Sequence, residues 1–387
     1  MGTAGALPGA SWDIMRRKTG IRILRHDKST AAGAILGVVA IVFLVGQQLA
    51  ILFGLFTYMS VLVDHSGADI WVLTKDVDEV NSSGSLPVRY VDRIAALSEV
   101  EWIEPLILGG GLFRSREGKF QPVQMVGLPR PRLENGPWRF SEGSLEVLLD
   151  YEGATVDGLD LKVLGYPGLF EFYEVSGRRI RISAITRNIR GFAGTLIFTN
   201  IEKAREVSGL PVGRCSHIIL KVRPGSDITA VAAAVRTLLP STTVMTSPQL
   251  SASTRRFYLL DTGIGSSFGL SVIIGALVGI VIITLTMYTS VLNHRRDYAV
   301  LQALGARKRD VLVVVFWQAL MIGLIGIFVG FLLLAGFIAG TRDSRLPANM
   351  PLWFPPLHAG ITLLLCLLGS TYAMRKAVKV EPASIFR

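Results

Sequence analysis

Hydrophobic positions along the chain gather into four long runs, approximately Ala31–Met59, Ile264–Leu292, Val311–Ala339 and Leu357–Met374. A run of roughly 20 mostly apolar residues is what an α-helix needs to cross a hydrocarbon core. Each of the first three runs holds about 29 residues, or roughly 43 Å of helix at about 1.5 Å per residue, against a core of about 30 Å. The excess is absorbed by tilt, or the helices continue past the lipid as stalks. The first run is too long for a secretory leader and is followed by no small-residue cleavage pattern, so it reads as a retained helix.

Between the first two runs the pattern changes. Over Val63–Thr262, short alternating stretches read as strands and 3.6-residue periodicity reads as helices. Strands are predicted at Ile70–Thr74, Val100–Leu108, Phe120–Val126, Ser144–Asp150, Arg179–Ile185, Gly194–Thr199, Cys215–Val222 and Thr242–Thr246. Helices are predicted at Pro87–Leu97, Ile201–Val207 and Asp227–Leu239, with Ser247–Tyr258 leading back to the second run. Proline-rich Leu128–Gly143 reads as a join between two subdomains. The expected fold is an α-helical membrane protein, with four transmembrane helices and a large extracytoplasmic α+β domain between helices 1 and 2. Its expected parts are an amphipathic N-terminal segment (1–30), the first helix and stalk (31–62), the α+β domain (63–262) and a three-helix membrane region (263–387).

Composition and charge sharpen this picture. The chain of 387 residues is 50% hydrophobic and 18% charged, below the roughly one quarter usual for soluble domains. Two cysteines, Cys215 and Cys366, cannot build a disulfide framework or a cysteine-rich metal site. The net charge of +11 is concentrated beside the apolar runs. Arg16, Arg17, Lys18, Arg22, Arg25 and Lys28 precede the first; Arg295, Arg296, Arg307, Lys308 and Arg309 lie between the second and third; Arg375, Lys376, Lys379 and Arg387 follow the last. The Val63–Thr262 region balances its charges. By the positive-inside rule both termini and the 293–310 loop face the cytoplasm, at the inner (plasma) membrane, and the large domain faces out. Juxtamembrane cations suit anionic membrane lipid, so the basic balance does not imply nucleic acid.

Catalytic patterns are missing or misplaced. The nearest approach to a phosphate-cradling Walker loop, Gly118-Lys119-Phe120, has Phe113 in place of the first glycine and no hydroxyl after the lysine. Gly265-Ser266-Ser267-Phe268-Gly269 has the spelling of a nucleophile elbow but opens an apolar run, where small residues serve close helix packing. The same spacing recurs at Gly33/Gly37, Gly275/Gly279, Gly326/Gly330 and Gly336/Gly340. No zinc or calcium pattern occurs, so no cofactor, metal or catalytic residue is assigned. Gln47 and Gln48 are the candidate polar contacts, to a substrate or a neighbouring helix, within the first run. Trp71, Trp102 and Trp138 read as core, and Cys215 as a lone buried thiol.

The most informative segment lies between the second and third runs, Arg295-Arg296-Asp297-Tyr298-Ala299-Val300-Leu301-Gln302-Ala303-Leu304-Gly305-Ala306. Asp297 suits a helix start and Gly305 a stop. Tyr298, Val300, Leu301 and Leu304 give a two-turn helix an apolar stripe. So short a helix is marginal alone and must lie on lipid or on a partner.

One run, a large domain, three further runs and this loop together resemble the permeases of the FtsX/MacB superfamily of ABC transporters. Arg296-Asp297 stands where the family has Arg-Glu, and Leu301, Ala303, Gly305 and Ala306 match its loop. The ending Glu381–Arg387 is similar to the family's tail, with Ile385-Phe386 departing from it. His65–Val72 is similar to the opening of the DevC-like branch, which exports glycolipids. The resemblance implies a homodimeric, non-catalytic permease whose loop helix docks on a separate cytoplasmic ABC ATPase. It implies a Porter-like core with an inserted Sabre-like part at about 128–212, and stalks that carry ATPase-driven motion outward. The substrate class is then a lipid, glycolipid or other hydrophobic compound, with a periplasmic adaptor and an outer-membrane channel as further partners. An FtsX-like signal transducer activating cell-wall hydrolases is the alternative within the same resemblance.

Overall fold

The computed structural model describes residues 28–378 except 76, 193, 304–305, 343 and 345–347. The expected N-terminal segment to residue 27, the Glu381–Arg387 tail, Leu304 and Gly305 lie outside the described residues. The chain divides into two compact units, one of helices (to Phe53, Ser267–Arg342 and from Pro347) and one built on a sheet (Gly54–Ser266 with 343–346).

Helix α1 (Lys28–Met59) leads into the one-turn α2 (Val61–Asp64). In the sheet unit follow β1 (Ile70–Thr74), β2 (Leu86–Pro87), α3 (Arg89–Ala95), β3 (Val100–Arg114), β4 (Phe120–Leu128) and β5 (Phe140–Glu142). After a 3-10 turn at Leu145–Leu149 come β6 (Gly153–Asp157), α4 (Leu161–Leu164), β7 (Phe172–Val175), β8 (Arg178–Thr186) and β9 (Thr195–Asn200). The unit closes with α5 (Ile201–Ser208), β10 (Arg214–Cys215), β11 (His217–Val222), α6 (Ile228–Leu238), β12 (Thr242–Thr246) and α7 (Ser247–Leu260).

Among the described residues one ten-stranded sheet runs β12-β1-β11-β3-β4-β9-β6-β8-β5, with β7 joining β3 and β8. Strand β3 serves both ends: Val100–Leu106 pairs with β11, and Ile107–Arg114 with β4. At the β1 end, Ile70, Val72, Ile218 and Leu220 face α3 and α6, while Trp71, Leu73, Leu106 and Ile219 face the opposite side. Beyond β3, Phe113, Val123, Met125, Val156, Ile182 and Ile197 make a separate core. Glycine within β3 and near the end of β4 has a packing reason. A Cβ on Gly127 would come within 2.3 Å of the Ala204 Cβ, and one on Gly109 within 2.4 Å of the Ser208 Cβ, so these glycines let α5 lie close.

Three expected elements differ. Ser144–Asp150 is not a strand; Leu148 is the buried residue of the 3-10 turn, and the fully buried Gly153–Asp157 takes the place in the sheet. Pro87 belongs to the short strand β2, and the helix begins at Arg89. Cys215–Val222 breaks at Ser216, whose hydroxyl donates to Leu108 O at 2.9 Å and accepts from Leu108 N at 3.0 Å. That bond moves the chain from the β2–β10 pair into the main sheet.

The helical unit holds α8 (Ile264–Asn293), α9 (Arg295–Ala303), α10 (Lys308–Gly340) and α11 (Phe354–Val378). Among the described residues α1, α8 and α10 are long and apolar enough to cross a membrane. The apolar part of α11 is the shorter stretch Phe354–Ser370. At about 1.5 Å per residue those 17 residues reach roughly 26 Å, just under a full hydrocarbon core.

Helix α1 is the hub: half of its apolar window is buried, against 11% for α8. Val38 and Val42 of α1 seat onto Gly326 and Gly330 of α10, four residues against four, and Ile41 seats onto Gly279 of α8. Side chains at that spacing rise one above the other on a helix face, so they fit a groove of glycines at the same spacing. His358 of α11 is buried, stacks on Phe354 and lies with Nε2 3.1 Å from Val42 O. A carbonyl only accepts, so Nε2 carries the proton and donates.

Candidate functional site: the helix between two spans and the base of the sheet unit

Helix α9 follows α8 after a single residue, His294, whose Nδ1 lies 2.9 Å from Ser290 O. Asp297 lies in its first turn and is exposed, as the sequence suggests for an acid near a helix start. Tyr298 is fully buried, packed with Val291, Val311, Val314 and Val315, and its hydroxyl donates to Gln318 Oε1 of α10 at 3.3 Å. Burial pushes this phenol up to about 12, and the nearby Asp297 charge adds to the shift. Val300 is 51% exposed. Two residues are about 200° apart around a helix. The stripe read from sequence is therefore split: Tyr298 anchors α9 to the bundle, and Val300 lies on the free face with Asp297. Leu301 is in the helix; Leu304 and Gly305 follow it outside the described residues.

Helix α10 then starts with the Asp310 carboxylate accepting the Arg307 backbone N–H at 2.7 Å, which satisfies a free donor at the helix start. Gln47 and Gln48 are half-buried midway along α1.

In the sheet unit a second cluster carries no signature in the sequence. The Asp64 carboxylate at the end of α2 accepts hydrogen bonds from Ser60 Oγ (2.8 Å), Ser251 Oγ (2.7 Å) and an Arg255 guanidinium nitrogen (2.7 Å). Arg255 Nε also donates to Ser60 Oγ at 3.0 Å. Two elements about 190 residues apart, α2 and α7, are thus stapled by polar groups. Alongside, the Asn81 amide donates to Met59 O at 2.9 Å and the Val80 N–H to Thr254 Oγ1 at 3.1 Å. These residues have no periodicity or motif, so only the fold brings them together.

Other groups have structural roles. His217 is buried with Nε2 3.1 Å from Val80 O, and burial pushes it down to about 4. Cys215 is buried and pushed up to about 12, too high to supply a thiolate at neutral pH. Among the described residues no three His, Cys, Asp or Glu side chains are grouped to hold a metal.

Apolar helices of membrane-crossing length, with a short helix in the chain between two of them, mark an integral membrane protein. Residues 269–382 match the family model of the FtsX-like permease C-terminal domain. A curated relative, the uncharacterized ABC transporter permease MJ1507 of Methanocaldococcus jannaschii, is 28% identical over 229 residues, covering 55% of this chain and 56% of that relative. The chain thus spans little more than half the length of the curated relative it matches. The periplasmic region of MacB from Actinobacillus actinomycetemcomitans aligns with TM-score 0.39 and 11% identity, covering 48% of this chain and 94% of that one. The extracellular domain of the noncanonic ABC-type transporter YknZ from Gram-positive bacteria aligns with TM-score 0.34 and 9% identity, covering 46% and 98%. Residues 269–382 are thus similar to FtsX-like permeases, and the chain is similar over about half its length to an ABC transporter permease.

Proposed function

We propose that the chain is the membrane subunit of an ABC-type exporter for a lipid, glycolipid or other hydrophobic compound, driven by a separate cytoplasmic ATPase. The observation that carries this reading is the anchoring of α9. A helix that is to pass on a push must be fixed on one side and free on the other. Tyr298 fixes α9 through its bond to Gln318, while Asp297 and Val300 stay exposed for a partner. The cations that flank α8 and α10 in sequence support a reading in which this loop and both termini are cytoplasmic at the inner membrane and the sheet unit lies outside. Motion of α9 biases the bundle between two arrangements according to the nucleotide state of the ATPase. The polar staple of Asp64 and Arg255 then serves to keep α2 and α7 moving together.

The large surface that α8 leaves uncovered suits a second copy of the chain, and the working unit is a homodimer on this reading. A periplasmic adaptor and an outer-membrane channel complete the route in the DevC-like version.

Replacing Leu301 and Leu304 with Asp in the chain purified with its ATPase tests the docking role. Stimulated ATP hydrolysis should fall toward the unstimulated rate with membrane insertion intact. An unchanged stimulated rate would rule out docking through this helix. Transfer of labelled lipid from proteoliposomes to an acceptor, dependent on ATP, separates export from mechanical signalling.

A further inference from the structure

The connection Leu128–Gly143, which leaves β4 and includes the short β5, rests on the β3 face at Glu104. Leu133, Asn135 and Pro137 point inward and Arg132 and Glu134 outward. Leu133 is buried with φ 54°, a left-handed conformation that a bulky side chain adopts only under constraint. Asn135 is buried with neither end of its amide partnered among the described residues, so it adds little to holding the segment down. Trp138 stacks on His65 at 4.1 Å and 8°, which ties the same connection to the residue that follows α2.

Glu104 is 5% exposed. The Glu134 backbone N–H bonds its carboxyl, and Oε2 is buried with no partner among the described residues. The register sets Glu104 opposite Ile219, with His217 and Lys221 flanking on the same face of β11 and Trp71 beyond on β1. Neither flanking group neutralises it. The Lys221 ammonium is bound to Asp69 at 3.1 Å, and His217 is uncharged near neutral pH. Of the charged groups of the connection, Arg132 attracts and Glu134 repels. A neutral carboxyl is tolerated in such a site; a carboxylate with one oxygen unsatisfied and a second acid beside it is not.

We propose that Glu104 makes the Leu128–Gly143 connection an acid-stabilised latch, closed on the sheet while the carboxyl is protonated and released when it ionises. Burial, with Glu134 adding and Arg132 opposing, pushes Glu104 up to about 7. An opened connection returns the group to an ordinary carboxyl near 4.5. Opening is therefore favoured as pH rises from the ordinary value to about 7, and levels off above it. Because Trp138 contacts His65, release frees one side of the joint where α2 enters the sheet unit.

Hydrogen exchange of residues 130–139 in the full chain, in lipid nanodiscs and corrected for the intrinsic pH dependence of exchange, tests the latch. From pH 6 to 8.5 protection of this segment should fall about tenfold, while that of α3 stays level. In Glu104→Gln, which is neutral at every pH, the fall should vanish. In Glu134→Gln, which removes the repelling like charge, the midpoint of the fall should move to lower pH. Equal protection at both pH values in the wild type would overturn the proposal, as would a wild-type fall retained in Glu104→Gln. Should Glu104→Gln fail to fold, a midpoint that does not move down in Glu134→Gln overturns it instead.

Discussion

The Tyr298 hydroxyl donates to Gln318 Oε1 across 3.3 Å and so satisfies the oxygen of that buried amide, while Gln318 Nε2 has no partner among the described residues. A short helix and a membrane-length helix are thereby joined at a point where both partners are closed off from water. Tyr298→Phe should keep the packing but strand the acceptor, costing about 1–3 kcal/mol. Tyr298→Ala should cost about 3–5 kcal/mol, as large-to-small aromatic changes in a core do. Thermal unfolding in detergent reads both, and if α9 transmits a push, Tyr298→Ala lowers the stimulated ATPase rate of the complex as well.

Glycine contacts at the hub should be intolerant of a single methyl group. A Cβ on Gly279 would stand 1.8 Å from Ile41 Cγ1, so Gly279→Ala should lower stability by about 1–3 kcal/mol through overpacking. Gly336→Ala is the control, since nothing lies within 4 Å of its Cβ position. It should be neutral or slightly stabilising, because alanine is the better helix former. Equal melting temperatures for the two variants would contradict the packing described.

His217 predicts a second pH dependence, opposite in sense to that of Glu104. Its folded value, about 4, lies below the ordinary 6.5, so the unfolded chain binds the proton more readily. Stability is then fully present above 6.5 and is lost as pH falls toward about 4, by roughly 3 kcal/mol over that window. Replacing His217 with Gln should flatten this acid limb in melting curves taken between pH 4.5 and 7. A variant as acid-sensitive as the wild type would assign the limb to another group.

The Asp64–Arg255 pair should matter more to movement than to stability. Both side chains are about a third exposed, so a double-mutant cycle with Asp64→Asn and Arg255→Gln should give a coupling of at most about 1 kcal/mol. On the proposed function, the same variants in a complex with an ATPase should lower ATP-dependent transfer more than ATP hydrolysis. A parallel fall in both rates would argue against a mechanical role.

Cys215 should resist alkylation by maleimide at pH 8 in the folded chain and react on unfolding, because burial withholds both access and the thiolate. Cys366 is buried too, so mass mapping of the labelled peptides is needed to separate them.

Long-range order was legible where one face of an element is uniformly apolar. The runs that became α1, α8 and α10, strands such as Ile70–Thr74, and the Asp227 cap of α6 all follow from local pattern. Ser144–Asp150 misled because an apolar cluster was read as alternation, while β6 beside it is short and rich in small residues. The α9 segment was recognisable as a helix, but not which side of it was spoken for. Tyr298 and Val300 look alike in a periodicity count, and only Gln318, twenty residues on, separates them. The Asp64 staple was illegible for the same reason, since Ser251 and Arg255 are ordinary helix-surface residues until α2 is set against them.

Fifteen consecutive residues of β3 supply the ladder for β11 at one end and for β4 at the other. A domain spliced along a shared beam cannot shed one half and keep the other: fraying at either end removes edge support from its neighbour. The sheet unit should consequently melt in one cooperative step, and a load applied at the β1 side reaches the far strands through covalent backbone and not through a slipping interface.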